Sequence, residues 1–155
     1  MNHKSLGSIA HTFGLTMFRP LDKDERGEDI YILQAKDVVI GEAMGSLEHI
    51  MKAPFNGRVS NSLKSGDIVL VTRCTEEGFF RAALFTAKNK VPVTTGTSLI
   101  ALRVHSDAIM PEYLVSYLNS VSGQVALHKL ARGSTIKFLP QAQLKEALIP
   151  ILSKN

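Results

Sequence analysis

The sequence predicts an α+β fold: a twisted, mostly antiparallel β-sheet in the first two-thirds, with helices packed from the C-terminal third. Two observations carry this. Short β-branched runs bounded by turn residues recur as far as residue 104, and apolar residues at helical spacing follow from Pro111. The 155 residues, 45% of them hydrophobic, suit one compact domain with a real core.

The elements follow in order. Residues 6–13 read as a short strand, and 19–29, with Pro20 and Gly27, as a polar loop. IYIL at 30–33 and DVVIG at 37–41 read as strand pieces. Asn56-Gly57 is a hairpin turn signal. Ser65-Gly66-Asp67 forms a second turn, launching IVLVTR, a short buried strand that ends at Arg73. TEEG turns the chain, 79–85 reads as a strand, 87–90 as a basic hairpin tip, and 98–104 as another strand. Pro111 suits the first turn of a helix carrying Tyr113, Leu114, Tyr117, Leu118 and Val121. Gly123 is expected to interrupt it, with Val125, Leu127 and Leu130 resuming the pattern. A loop and short strand follow at 132–139, then a helix opened by Pro140 and stopped by Pro150.

Charge is unevenly spread over a formal net charge of +4. Residues 22–29 hold five acids and two cations. No acid stands between Glu77 and Asp107, where Arg81, Lys88, Lys90 and Arg103 fall; none stands between Glu112 and Glu146, where Lys129, Arg132, Lys137 and Lys145 fall. Such a chain can present one positive face toward an anionic partner. A set of separately solvated cations is the plainer alternative.

Several chemistries have no support. The five histidines are dispersed, with no metal-ligand spacing, so no metal is expected. No Walker A, G-x-G-x-x-G or G-x-S-x-G run occurs, and no cofactor is expected. Cys74 is the single cysteine, which excludes an internal disulfide and reads as an apolar residue rather than a nucleophile. Glu76 and Glu77 read as a solvated turn. No signal peptide or membrane-length apolar run is visible, which gives a cytoplasmic location and no membrane partner as the expectation.

The stretch LARGSTIKFLP, 130–140, carries two cations, two hydroxyls, a glycine and no acid. Gly133, Ser134 and Thr135 offer backbone N–H groups and hydroxyls to phosphate oxygens, with Arg132 and Lys137 flanking them. Alternatively Gly133 ends a helix in a left-handed conformation and the hydroxyls satisfy its last carbonyls. The stretch by itself favours the second reading.

Six pieces in order then resemble a known family. They are Leu6-Gly7-Ser8-Ile9-Ala10 followed by Gly14-Leu15-Thr16-Met17-Phe18-Arg19; Ala35-Lys36-Asp37-Val38; Leu63-Lys64-Ser65-Gly66-Asp67-Ile68-Val69-Leu70 with Arg73 soon after; Pro111-Glu112-Tyr113-Leu114-Val115-Ser116-Tyr117-Leu118-Asn119-Ser120; Gly133-Ser134-Thr135-Ile136; and Leu144 with Leu148-Ile149-Pro150. Together they resemble a single target-recognition domain of the DNA specificity (S) subunit of type I restriction–modification enzymes.

The resemblance implies a non-catalytic module that reads a half-site on double-stranded DNA, while methyltransferase (modification) and restriction subunits supply the chemistry. It implies DNA-contacting roles for Arg19, Arg73, Arg132, Gly133, Ser134, Thr135 and Lys137; Lys88 and Lys90 join them on charge and hairpin position. It further implies that residues 1–155 form one recognition domain without the spacer helix and second recognition domain of the full subunit. A homodimer would rebuild a two-fold reader. The alternative is a non-catalytic interaction protein of the same fold that binds or regulates a modification or restriction subunit.

Overall fold

The computed structural model describes residues 2–14, 27–39, 50–54, 62–87, 92–96 and 98–151, with 27–29 and 50–54 described through their backbone alone. The α+β expectation holds. The chain runs β1 (Asn2–Ser5), α1 (Leu6–Ile9), β2 (Ala10–Gly14), β3 (Gly27–Leu33), β4 (Ile50–Pro54), β5 (Ile68–Val71), β6 (Arg73–Thr75), β7 (Ala82–Leu84), β8 (Val93–Thr95) and β9 (Leu99–Val104). It continues with α2 (Pro111–Asn119), α3 (Val121–Leu130), β10 (Ile136–Phe138), α4 (Gln141–Leu144) and β11 (Leu148–Ile151).

A four-stranded antiparallel sheet, β2-β9-β5-β7, is the centre. It is buried on both faces, so alternate residues serve two cores. Ile68, Leu70, Ile100 and Leu102 face a core shared with Leu6, Ile9, Leu114, Leu118, Leu127 and Leu144. Val69, Val71, Leu99 and Ala101 face a second core with Leu33, Val38, Phe85 and Val93. A three-stranded sheet, β4-β3-β8, joins β3 to β8 in parallel, and β1 pairs with β11.

The β7 edge is closed by two side-chain amides. Asn119, at the end of α2, accepts from Ala82 N and donates to Ala82 O, both at 2.9 Å. Gln124 of α3 does the same for Phe80 at 2.9 Å, and its Nε2 also donates to Leu118 O at 2.7 Å. Each amide copies the donor–acceptor pair of a neighbouring strand.

Five sequence expectations are corrected. Residues 6–9 are a helical turn, because Leu6 and Ile9 both enter the core; in a strand they would lie on opposite faces. Ala35–Asp37 is a 3-10 turn rather than a strand start: Asp37 Oδ2 accepts from Gln34 N at 2.9 Å, and Arg81 donates to the carbonyls of Ala35 and Val38. The helical break falls at Ser120, whose Oγ caps α3 by accepting from Gly123 N at 3.0 Å. Gly123 lies inside α3, where a Cβ would collide with the carbonyl of Tyr117. Pro150 sits within β11, not beyond a helix; its carbonyl accepts from Tyr113 Oη at 2.8 Å. Finally, the strand expected over 79–85 is confined to Ala82–Leu84, and the Asn56-Gly57 turn lies outside the described residues.

Candidate functional site

The chain leaves the central sheet at Thr72. Its N–H donates to Ser98 O at 2.9 Å, toward β9, while its carbonyl accepts from Leu139 N at 2.9 Å, beyond β10. Thr72 therefore switches partners, and β6 emerges as one strand of an antiparallel ribbon with β10. The register pairs Arg73 with Phe138, Cys74 with Lys137 and Thr75 with Ile136. Directly opposed residues share a face. One face thus carries Arg73, Thr75, Ile136 and Phe138, all exposed; the two apolar side chains are 51% and 40% accessible.

Two tips close the ribbon end. On the β10 side, Arg132 and Phe138 exchange backbone hydrogen bonds, both at 2.9 Å, closing a loop over 133–137. Gly133 adopts φ +104 there, and a Cβ would strike the carbonyl of Ile136. Lys137 Nζ donates to Gly133 O at 2.6 Å, which fastens the loop. On the β6 side, residues 75–78 form a turn with Gly78 N donating to Thr75 O at 2.9 Å. An open groove of about 590 Å³ separates the tips, lined by Thr75, Glu76, Glu77, Gly133, Ser134, Thr135 and Lys137.

Helix α3 ends before Gly133, at Leu130, and Ala131 N caps it by donating to the carbonyls of Leu127 and His128. The hydroxyls of Ser134 and Thr135 are not needed for that cap and stand exposed.

Behind the ribbon, Cys74 Sγ lies 4.0 Å from His128 Nε2. That nitrogen is also 2.9 Å from Gly78 O, so it carries the proton and donates to the carbonyl. With its proton so engaged, Nε2 is no base for the thiol. Burial raises the Cys74 pKa, against an opposing influence from Arg81. The apolar reading of Cys74 therefore stands.

No family model matches this chain, and no curated protein is significantly similar to it in sequence. Solved structures do match. A chain from a study of complex assembly and conformational transition in a type I R-M system superposes over 97% of this chain, with a TM-score of 0.61 and 17% identity. The fold is one found in a type I restriction–modification system. The S subunit from M. genitalium (TM-score 0.45, 14% identity) and the HsdS subunit from Thermoanaerobacter tengcongensis (0.49, 15%) also align over 97% of this chain. The chain spans about a third of the length of each: 33%, 33% and 32%.

Within this fold, Arg73, Arg132, Gly133, Ser134, Thr135 and Lys137 come together on the β6–β10 ribbon and its tip. Arg19, Lys88 and Lys90 lie outside the described residues. Two members of the acid-free stretches do not join a positive face. Arg81 is engaged by the carbonyls of Ala35 and Val38, and Arg103 by Asp67. Glu76 and Glu77 form the solvated turn that the sequence reads, and they also line the groove. Nothing local to TEEG announces this, because it depends on a pairing with β10 across the whole of α2 and α3.

Proposed function

We propose that this domain is a non-catalytic, sequence-specific reader of double-stranded DNA, acting in the cytoplasm with the modification and restriction subunits of a type I system. One observation supports it above the shared fold. The backbone pairing sets two exposed arginines, Arg73 and Arg132, on either side of Phe138, in the ribbon whose tip carries the amides and hydroxyls of 133–135. Cations and backbone donors of this kind hold phosphates, and a two-stranded ribbon fits the major groove. Ile136 and Phe138 on the same face supply apolar contact of the sort that reads a thymine methyl.

The test is titration of duplex DNA at several salt concentrations. Arg132→Ala and Arg73→Ala should each flatten the log–log salt slope by about one unit. Absence of binding by the unaltered chain at low salt overturns the reading.

A second reading rests on α3. Val121 and Val125, one helical turn apart, are 77% and 50% accessible, with Phe79 exposed at 42%. Exposed apolar side chains suit a protein partner, and so an interaction protein of the same fold. A pull-down with a modification subunit, with and without DNA, separates the two readings.

A further inference from the structure

The groove between the ribbon tips is bipolar. The lining on the β10 side is residues 133–135, whose amides and hydroxyls bond to no other described residue. The facing wall presents the carboxylates of Glu76 and Glu77, exposed and without an ion-pair partner among the described residues. Lys137 also lines the groove, with its ammonium donating to Gly133 O. A pure phosphate cradle would not place two carboxylates on its rim, since they repel the anion the donors attract. The complementary ligand has an anionic group and an amino donor within one groove width.

We propose that Glu76 and Glu77 are base-reading residues, accepting from the exocyclic amino group of a cytosine or adenine in the major groove, while the 133–135 loop holds an adjoining phosphate. This rests on the DNA-binding reading above and names what that site recognises. In the major groove only cytosine N4 and adenine N6 present donors; guanine O6 and N7 and thymine O4 present acceptors, which a carboxylate rejects. The turn is also held in place for such work. His128, packed on Phe80 with ring centroids 4.7 Å apart, donates to Gly78 O at 2.9 Å, and Gly78 N donates to Thr75 O. The carboxylates therefore project from a backbone fixed at both ends of the turn. Thr75, opposite Ile136 in the ribbon, also lines the groove and adds a hydroxyl and a methyl to it.

The experiment is selection from a randomised duplex library by the full chain and by the Glu76→Ala/Glu77→Ala double variant, with single Gln variants alongside. Both positions are exposed, so the fold is expected to survive, which equal melting temperatures would verify. The unaltered chain should favour C or A over G or T by about fivefold or more at one or two positions. The double variant should lose that preference there alone, keep its affinity for the rest of the library, and keep its other preferences. A single Gln variant should narrow the choice toward A, which offers both N6 and N7 to an amide. A uniform gain in affinity with unchanged preferences would mean the acids only repel, and the proposal falls. Loss of preference at every position would mean the turn supports other readers, and the proposal again falls. Failure of the unaltered chain to bind any DNA overturns the DNA reading itself, a distinct result.

Discussion

Asp67 and Arg103 form a two-pronged ion pair between the turn before β5 and the strand β9. Arg103 Nε donates to Asp67 Oδ1 at 2.8 Å and Nη2 to Oδ2 at 2.6 Å, while Oδ2 also accepts from Lys64 N at 2.8 Å. The guanidinium lies over the Phe13 ring, 4.8 Å from its centroid, and its bond to Asp67 raises an already high pKa. This cation is spent inside the protein.

Loss of one partner should be unequal in cost. The Asp67 side chain is 3% accessible and that of Arg103 31%. Arg103→Met strands a buried carboxylate on a single amide donor and should destabilise by about 3–5 kcal/mol in urea unfolding. Asp67→Asn should cost less, because the freed guanidinium can turn to water. Neither variant, where it folds, should change the salt slope of DNA binding; a flattened slope for Arg103→Met would mean this cation touches phosphate.

Gln124 is 5% accessible and serves Phe80 N, Phe80 O and Leu118 O. Gln124→Leu should cost about 2–3 kcal/mol, since it leaves buried backbone groups unpaired. Gln124→Glu keeps the acceptor for Phe80 N but turns an oxygen toward Phe80 O. Its deficit should shrink as pH falls and the carboxyl regains a donating proton. Thermal melts across pH check both, and a wild-type melting temperature for Gln124→Leu would refute the edge-closing role.

The Cys74 thiol, raised by burial, keeps its proton to higher pH in the folded chain than in the unfolded one. Stability from this group is therefore complete at neutral pH and declines as pH climbs past the ordinary thiol value of 9.0. The same shift lowers the thiolate fraction at pH 8. Alkylation by iodoacetamide should be slower than for the urea-unfolded chain at that pH, and equal rates would contradict the shift.

Much of the scaffold is legible because its signals are local. IVLVTR, bounded by a turn, folds as the doubly buried strand β5, and Pro111 opens α2 where the helical spacing begins. The pieces that carry the family resemblance are architectural: Asp67 grips Arg103, Tyr113 reaches Pro150, and Asn119 closes the β7 edge. Residues 6–9 fold as a helical turn because Leu6 and Ile9, three apart, both enter the core, and so short a stretch carries no helical period of its own. The site is legible mainly on its β10 side, where 132–137 concentrates hydroxyls and cations, with Arg73 the one β6 residue that the family resemblance supplies. Glu76 and Glu77 enter through a ribbon whose strands are distant in sequence. Conversely, Arg81 and Arg103 read as free charge in the sequence because their carbonyl and carboxylate partners lie far along the chain.

The ribbon tips have a property that the core lacks. Side chains 76, 77 and 132–136 are exposed, and the loop's shape is set by Gly133 and by the backbone exchange between Arg132 and Phe138. Most substitutions there leave the fold's free energy nearly untouched. The molecule can thus be rewritten at its tips while its scaffold stays constant. A lineage under pressure to change what it recognises could explore new side chains at 76, 77, 134 and 135 one at a time, each intermediate still folded.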